Sequence, residues 1–211
     1  MNKKIFLLAS FLLFQSFACL AIVSWELPAI DLSENTQNAT IPQVAIDDSG
    51  NAIAVWSRSN GTNTIIQTKR YDATTNSWPI NALDLSESGE NATNPQIAMD
   101  PDGNATAVWQ RYDGANWIIQ ATRYDITTGS WSLFPANLST GGVNGDGTIP
   151  QVAMDQAGNA TVVWKQDDVF GGSTIQASRY DATTQTWSAA TNLFPLVLGD
   201  DGLTPQVAMD A

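Results

Sequence analysis

The side chains in this chain best suited to chemistry are aromatic and acidic. Tyr112, Trp117, Asp167, Asp168 and Phe170 fall where three otherwise matching stretches of sequence diverge. Rings and carboxylates in that mixture suit contact with a saccharide or a protein, the rings by stacking and the carboxylates by accepting hydrogen bonds. Divergence there also fits neutral drift, because loops vary more than the elements they join. The chain has no His, and its one Cys is Cys19. His-based catalysis and a Cys/His metal cluster are thereby excluded, and neither a catalytic group, a metal nor a cofactor is expected. With 9 Lys+Arg against 21 Asp+Glu the formal net charge is −12, which repels nucleic acid and anionic lipid surfaces.

Other polar and aromatic residues recur, and recurrence speaks for architecture. Asp100, Asp102 and Asn104 alternate as the oxygens of a calcium loop do. The matching places hold Asp47, Ser49, Asn51 and Asp155, Ala157, Asn159, so a hairpin turn is preferred, with Gly supplying positive φ and Asn or Asp bonding locally. Gln67, Gln120 and Gln176 recur with Arg70, Arg123 and Arg179. They read either as repeated sugar-binding groups or as bonds across neighbouring sheets. In the second reading Asp47, Asp100 and Asp155 partner the arginines, since a buried charge needs a partner. Trp56, Trp109 and Trp164, and Trp78, Trp131 and Trp187, are expected in the core between sheets, where large rings dominate packing. Stacking on sugars is the alternative. No carboxylate pair stands out as the acid and nucleophile of a glycosidase, so a non-catalytic protein is expected.

What must position these residues is a repeat. Pro42-Gln43-Val44-Ala45-Ile46-Asp47 returns at 95–100, 150–155 and 205–210, and Gly50-Asn51-Ala52 returns at 103–105 and 158–160. Arg70-Tyr71-Asp72 returns at 123–125 and 179–181, and the Pro positions step by 53, 55 and 55 residues. In each unit the two-residue period predicts four short strands. In the first unit strand a covers 43–47, b covers 51–58, c covers 64–72, and d follows Trp78 to Leu85. Ala52, Ala54 and Trp56 share one face of b while Ile53 and Val55 share the other, so b must be covered on both sides. Stacked four-stranded blades do this, whereas an immunoglobulin-like sandwich needs about 100 residues for seven strands. The fold expected is all-β: a β-propeller-like array of four-stranded antiparallel blades, about three of them plus partial strands at both ends. Residues 22–41 are expected as a leading outer strand and linker, 42–94, 95–149 and 150–204 as blades, and 205–211 as the start of a fourth. The loops between strands b and c then share one face with the connections from d to the next a, such as 140–148.

The pattern Pro-x-Val-Ala-x-Asp-x-x-Gly-Asn, followed by Ile-Gln-x-x-Arg-Tyr-Asp, resembles the NHL-type repeat and related secreted bacterial β-propeller repeats over residues 42–211. It departs in its longer blade and in the Trp that ends strand b. The resemblance implies that strand a lies innermost and that surface loops bind partners.

Lys3 and Lys4 precede the apolar run Ile5 to Phe14, with Ala18 and Ala21 after it, the order of a secretory signal peptide over 1–21. Ser16-Phe17-Ala18-Cys19 resembles a lipoprotein signal but lacks Leu three places before the Cys, so membrane attachment arises only if Cys19 is lipidated. The chain is expected to be exported, to the periplasm, the cell surface or the medium. Its mature part carries 7 basic and 21 acidic residues and no Cys, so core packing and backbone pairing must hold it together. The function expected is a binding or interaction module, presenting a propeller loop face to a protein or glycan on an extracytoplasmic surface. An exported glycosidase-like enzyme and a surface scaffold without a small ligand are the alternatives. Three blades are too few for the usual ring of four to eight. The chain is therefore expected to belong to a longer reading frame, or to complete a ring by self-assembly.

Overall fold

The fold is taken from a computed structural model that describes residues 29–34, 36–141, 145–168, 171–193, 197–198 and 204–210. The expected signal segment, Cys19 and Phe170 lie outside these residues. Three antiparallel sheets follow one another along the chain. The first is β1 (Ala39–Ile46), β2 (Ala52–Ser59), β3 (Thr64–Tyr71) and β4 (Leu83–Asp84), in that order. The second is β5 (Ala92–Met99), β6 (Ala105–Tyr112), β7 (Trp117–Asp125) and β8 (Ser130–Trp131), with β9 (Ala136–Asn137) also paired to β7. The third is β10 (Gly147–Met154), β11 (Ala160–Asp167), β12 (Gly172–Asp181) and β13 (Thr186–Trp187), with β14 (Thr191–Asn192) and β15 (Val197–Leu198) also on β12. Strand β5 lies against both β1 and β10, so the first strands of the three blades run side by side. The fold is an all-β, propeller-like arc without a closed ring among the described residues.

The hairpin between the first two strands of each blade is set by its Asp-x-x-Gly-Asn turn. Asp47 Oδ1 accepts the N–H groups of Ser49 at 2.9 Å and Asn51 at 2.8 Å, and its Oδ2 accepts Asn51 Nδ2 at 2.8 Å. Asn51 Oδ1 in turn accepts the Ala73 N–H at 3.0 Å, which ties the turn to the end of β3. Asp100 with Asn104 and Asp155 with Asn159 repeat the arrangement. These carboxylates are thus engaged by N–H donors of their own turn.

Two features differ from the expected strands. The first strand of each blade starts three residues before its Pro, and 29–34 form no strand. The register slips between Thr40 and Gln43, Thr93 and Gln96, and Thr148 and Gln151. The residue before each Pro, Ile41, Asn94 or Ile149, has φ of 53°, 53° or 54°. This is a β-bulge, and it accommodates a Pro that has no N–H for the ladder. Strand d, expected as one run from Trp78, is instead a pair of short bridges flanking a gap, as at Asp72 with Ser77 and then at β4. Pro79 and Pro135 occupy the gap in the first two blades, where a missing donor interrupts pairing.

The core lies between blades. Ile53, Val55, Ile66 and Leu85 of the first blade meet Ala105, Ala107, Trp109 and Tyr124 of the second. Val108, Ile119, Ala121 and Leu138 of the second meet Val162 and Trp164 of the third. Both faces of β6 are therefore occupied by neighbouring blades, and the second faces of β2 and β11, with Ala54, Trp56 and Val163, are buried as well, which is why alternation in these strands is apolar on both sides. Val44 and Ile46 are 66% and 65% exposed, although Ile97 and Val152, the counterparts of Val44, and Met99, a counterpart of Ile46, pack into the cores.

Candidate functional site

Four of the five divergent residues can be placed, and they sit at one end of the second and third blades. Tyr112 and Trp117 face each other across β6 and β7, with ring centroids 5.7 Å apart and planes tilted by 60°. The loop between them is folded by Asp113, whose Oδ1 accepts the N–H groups of Ala115 and Asn116 at 2.9 and 2.8 Å. Those donors, Asn116 first and then Ala115, hold the Asp113 carboxyl below its usual range. Asp167 ends β11, where its Oδ1 accepts Ser173 Oγ at 2.7 Å and lies 3.0 Å from Lys165 Nζ. Asp168 Oδ1 accepts the Gly172 N–H at 2.7 Å.

The residue that joins these two groups was not singled out by sequence. Asp146 accepts the Trp117 N–H on Oδ1 at 2.9 Å and the Asp167 N–H on its backbone oxygen at 2.8 Å. It thereby clamps the ring pair of one blade to the carboxylates of the next. Asn38 and Asn91 occupy the same place in the earlier copies, and Asn91 Oδ1 accepts the Thr64 N–H at 2.9 Å. The recurrence Asn, Asn, Asp immediately before the first strand was the available signal. The end of the arc thus offers an aromatic pair, the carboxylates Asp113, Asp146, Asp167 and Asp168, and the Lys165 ammonium.

The recurring residues are architectural, with partners other than those expected. Arg123 spans two blades: Nη1 donates to Thr106 Oγ1 at 2.6 Å, Nη2 donates to the Gly158 carbonyl at 2.9 Å, and the guanidinium lies 4.3 Å from the Tyr180 ring centre. Burial pulls its pKa below the ordinary arginine value, against the opposing pull of Tyr180 and Asp100. Arg70 lies 5.8 Å from the Tyr124 ring centre. Only Arg179 pairs with an acid of the expected set, Asp155 at 3.6 Å, and that pair is within one blade. The glutamines bond within their own blades: Gln67 to Asp84, Gln120 to Asn137 and Gln176 to Asn192, at 2.7, 2.8 and 2.9 Å. Trp109 and Trp164 are fully buried between blades. Trp78, Trp131 and Trp187 are half-buried and tilt against Tyr71, Tyr124 and Tyr180 at 5.3 to 5.4 Å.

No protein-family model and no curated protein sequence matches the chain. Among solved structures it is similar in fold to a Hadza microbial sialidase, with a TM-score of 0.51 at 14% identity over 71% of this chain and 36% of that one. It is also similar to a polysaccharide lyase, with a TM-score of 0.52 at 11% identity over 74% of this chain and 41% of that one. The chain thus spans about two fifths or less of those proteins. The expectation of a non-catalytic protein is corrected by this finding, because the fold it rests on includes enzymes. The missing His was a weak ground for it, since carboxylates alone serve glycoside hydrolysis.

Proposed function

We propose that this chain is an arc of an exported, carbohydrate-active propeller with glycosidase-like chemistry at the loop end of its second and third blades. The observation that carries the reading is the clamp by Asp146, which brings the Tyr112 and Trp117 rings and the Asp167 and Asp168 carboxylates to one rim. Aromatic faces suit the C–H faces of a sugar ring, and flanking carboxylates suit both hydroxyl recognition and acid–base work at a glycosidic bond. The similarity in fold to a sialidase and to a polysaccharide lyase supports the same class of substrate. In this reading Trp117 and Tyr112 hold the sugar, and Asp146, Asp167 and Asp168 are the acid and base candidates.

The test is release of chromophore from a panel of aryl glycosides by the exported chain. Asp146→Asn and Asp167→Asn are expected to lower the rate at least tenfold, and Trp117→Ala to raise KM more than it lowers kcat. No release from any glycoside, together with no retention on a glycan array, refutes the proposal.

A further inference from the structure

The opposite end of the arc carries a second kind of cavity. A cleft of about 440 Å3 opens between the second and third blades, lined by Arg123, Asp125, Trp131, Ser132, Tyr180 and Gln185 among others. A shallower hollow of about 260 Å3 shares Arg123, Ser132, Tyr180 and Gln185 and runs on to Phe134 and Trp187. Phe134 is 75% exposed. One blade further on, an open hollow of about 550 Å3 is lined on the third blade alone by Arg179, Asp181, Trp187 and Ser188 with Asn159 and neighbouring threonines. These are the repeat counterparts of Arg123, Asp125, Trp131, Ser132 and Asn104. Both clefts lie at the turns joining the first strand to the second and the third to the fourth. The rim of Tyr112 and Trp117 lies at the other end of the same strands.

We propose that these turn-end clefts are serial subsites for a neutral polysaccharide, one sugar unit to each. The proposal rests on the glycan reading above but on different residues. Three observations define the ligand. Each cleft sets a half-buried Trp, already braced by a Tyr at 5.4 Å or 5.3 Å, beside a run of hydroxyls from Thr127, Thr128 and Ser130 or their counterparts Thr183, Thr184 and Thr186. A braced ring is a platform for the apolar face of a sugar, and a ring of short donors and acceptors matches its hydroxyl edge. Each cleft also pairs one Arg with one Asp, so its local charge balances. The chain as a whole carries −12, which turns away uronates and sulfated glycans and leaves neutral ones. Open clefts of this kind bind single units weakly, and repetition along one chain converts weak sites into useful retention.

The test is affinity electrophoresis of the full chain in gels containing dextran, mannan, xylan or mixed-linkage glucan, beside gels containing alginate or hyaluronan. Retardation by at least one neutral polymer and by neither anionic one is expected. Ala157→Glu and Thr183→Glu place long, non-stacking side chains in the two clefts from exposed turn positions, so folding is preserved and an unchanged melting temperature verifies it. Each alone is expected to weaken retention about threefold, and both together at least tenfold. Ile80→Ala, at a 93% exposed position that lines neither cleft nor rim, is expected to leave it unchanged. The inference is overturned by absent retardation, by equal retardation in anionic gels, or by a double variant that binds as the wild type does. Loss of all retention in Trp117→Ala alone assigns glycan binding to the rim, overturning the clefts while leaving the proposed function standing.

Discussion

Arg123 and Arg179 occupy the same place in the repeat, yet substituting them by Ala is expected to have very different consequences. Arg123 donates to Thr106 Oγ1 and to the Gly158 carbonyl and stacks on Tyr180, two of those three partners belonging to the next blade. Hydrogen bonds from a charged group contribute about 1.5–3 kcal/mol and a cation–π contact about 0.5–2 kcal/mol, part of which offsets the cost of burying the guanidinium. Arg123→Ala also strands the Gly158 carbonyl, so a loss of about 3 kcal/mol is expected. Arg179 stands on the third blade, which no further described blade covers; as the chain stands its side chain is 60% exposed with an acid at 3.6 Å, a surface pair of the kind that contributes at most about 1 kcal/mol. In a chain of this size about 2–4 °C accompanies each kcal/mol. Arg123→Ala should therefore lower Tm by roughly 6–12 °C and Arg179→Ala by less than about 4 °C. Urea unfolding with linear extrapolation measures the same difference directly. Arg123→Lys, which keeps the charge but loses the planar stack, should fall between them. Losses for the two Ala variants that agree within about 0.5 kcal/mol would refute the inter-blade role of Arg123.

The glycine turns make a second comparison. Gly103 (φ 99°) brings its Cα against the neighbouring blade, where an added Cβ would lie 3.0 Å from Asp47 Oδ2, while Gly114 (φ 101°) has nothing within 4 Å. Both Ala variants meet the backbone penalty of about 1–2 kcal/mol, and only Gly103→Ala adds an overpacking cost of about 1–3 kcal/mol; equal urea midpoint shifts would contradict this. A third prediction concerns acid. The Asp113 carboxyl is held below its usual range by the Asn116 and Ala115 N–H groups, so its contribution is present above the unfolded value of about 3.9 and is lost as pH falls through the lower folded value. Asp113→Asn keeps an acceptor for the same turn but cannot titrate. The drop in stability between pH 5 and pH 3 should be smaller in the variant, and an identical drop would remove Asp113 from the pH response.

Much of the architecture was legible in the residues. The Asp-x-x-Gly-Asn turns, the double-sided burial of β2, β6 and β11, and the central place of Trp109 and Trp164 follow from spacing and from the need to cover apolar faces. The bulge at Ile41, Asn94 and Ile149 was not legible, because β-branched Ile is a poor candidate for positive φ and only the packing of the first strands side by side from blade to blade requires it. The broken fourth strand could have been read from Pro79 and Pro135, whose missing N–H groups interrupt a ladder. At the rim, divergence marked Tyr112, Trp117, Asp167 and Asp168 as candidates, while Asp146, which bonds to Trp117 and Asp167, escaped notice because it recurs as Asn.

By itself the amino-acid sequence determined the unit: its length, its turns, its alternation and the number of times it is written. Those are local properties, set by backbone preference and by which side chains reject water. The tertiary structure alone decided what each repeated residue touches. Arg123 meets the Gly158 carbonyl and the Tyr180 ring of the next blade, partners that its own repeat unit does not contain. A side chain that reaches across an interface takes its partners from whatever packs there, and that neighbour lies some 50 residues away in the chain, beyond the reach of any local pattern.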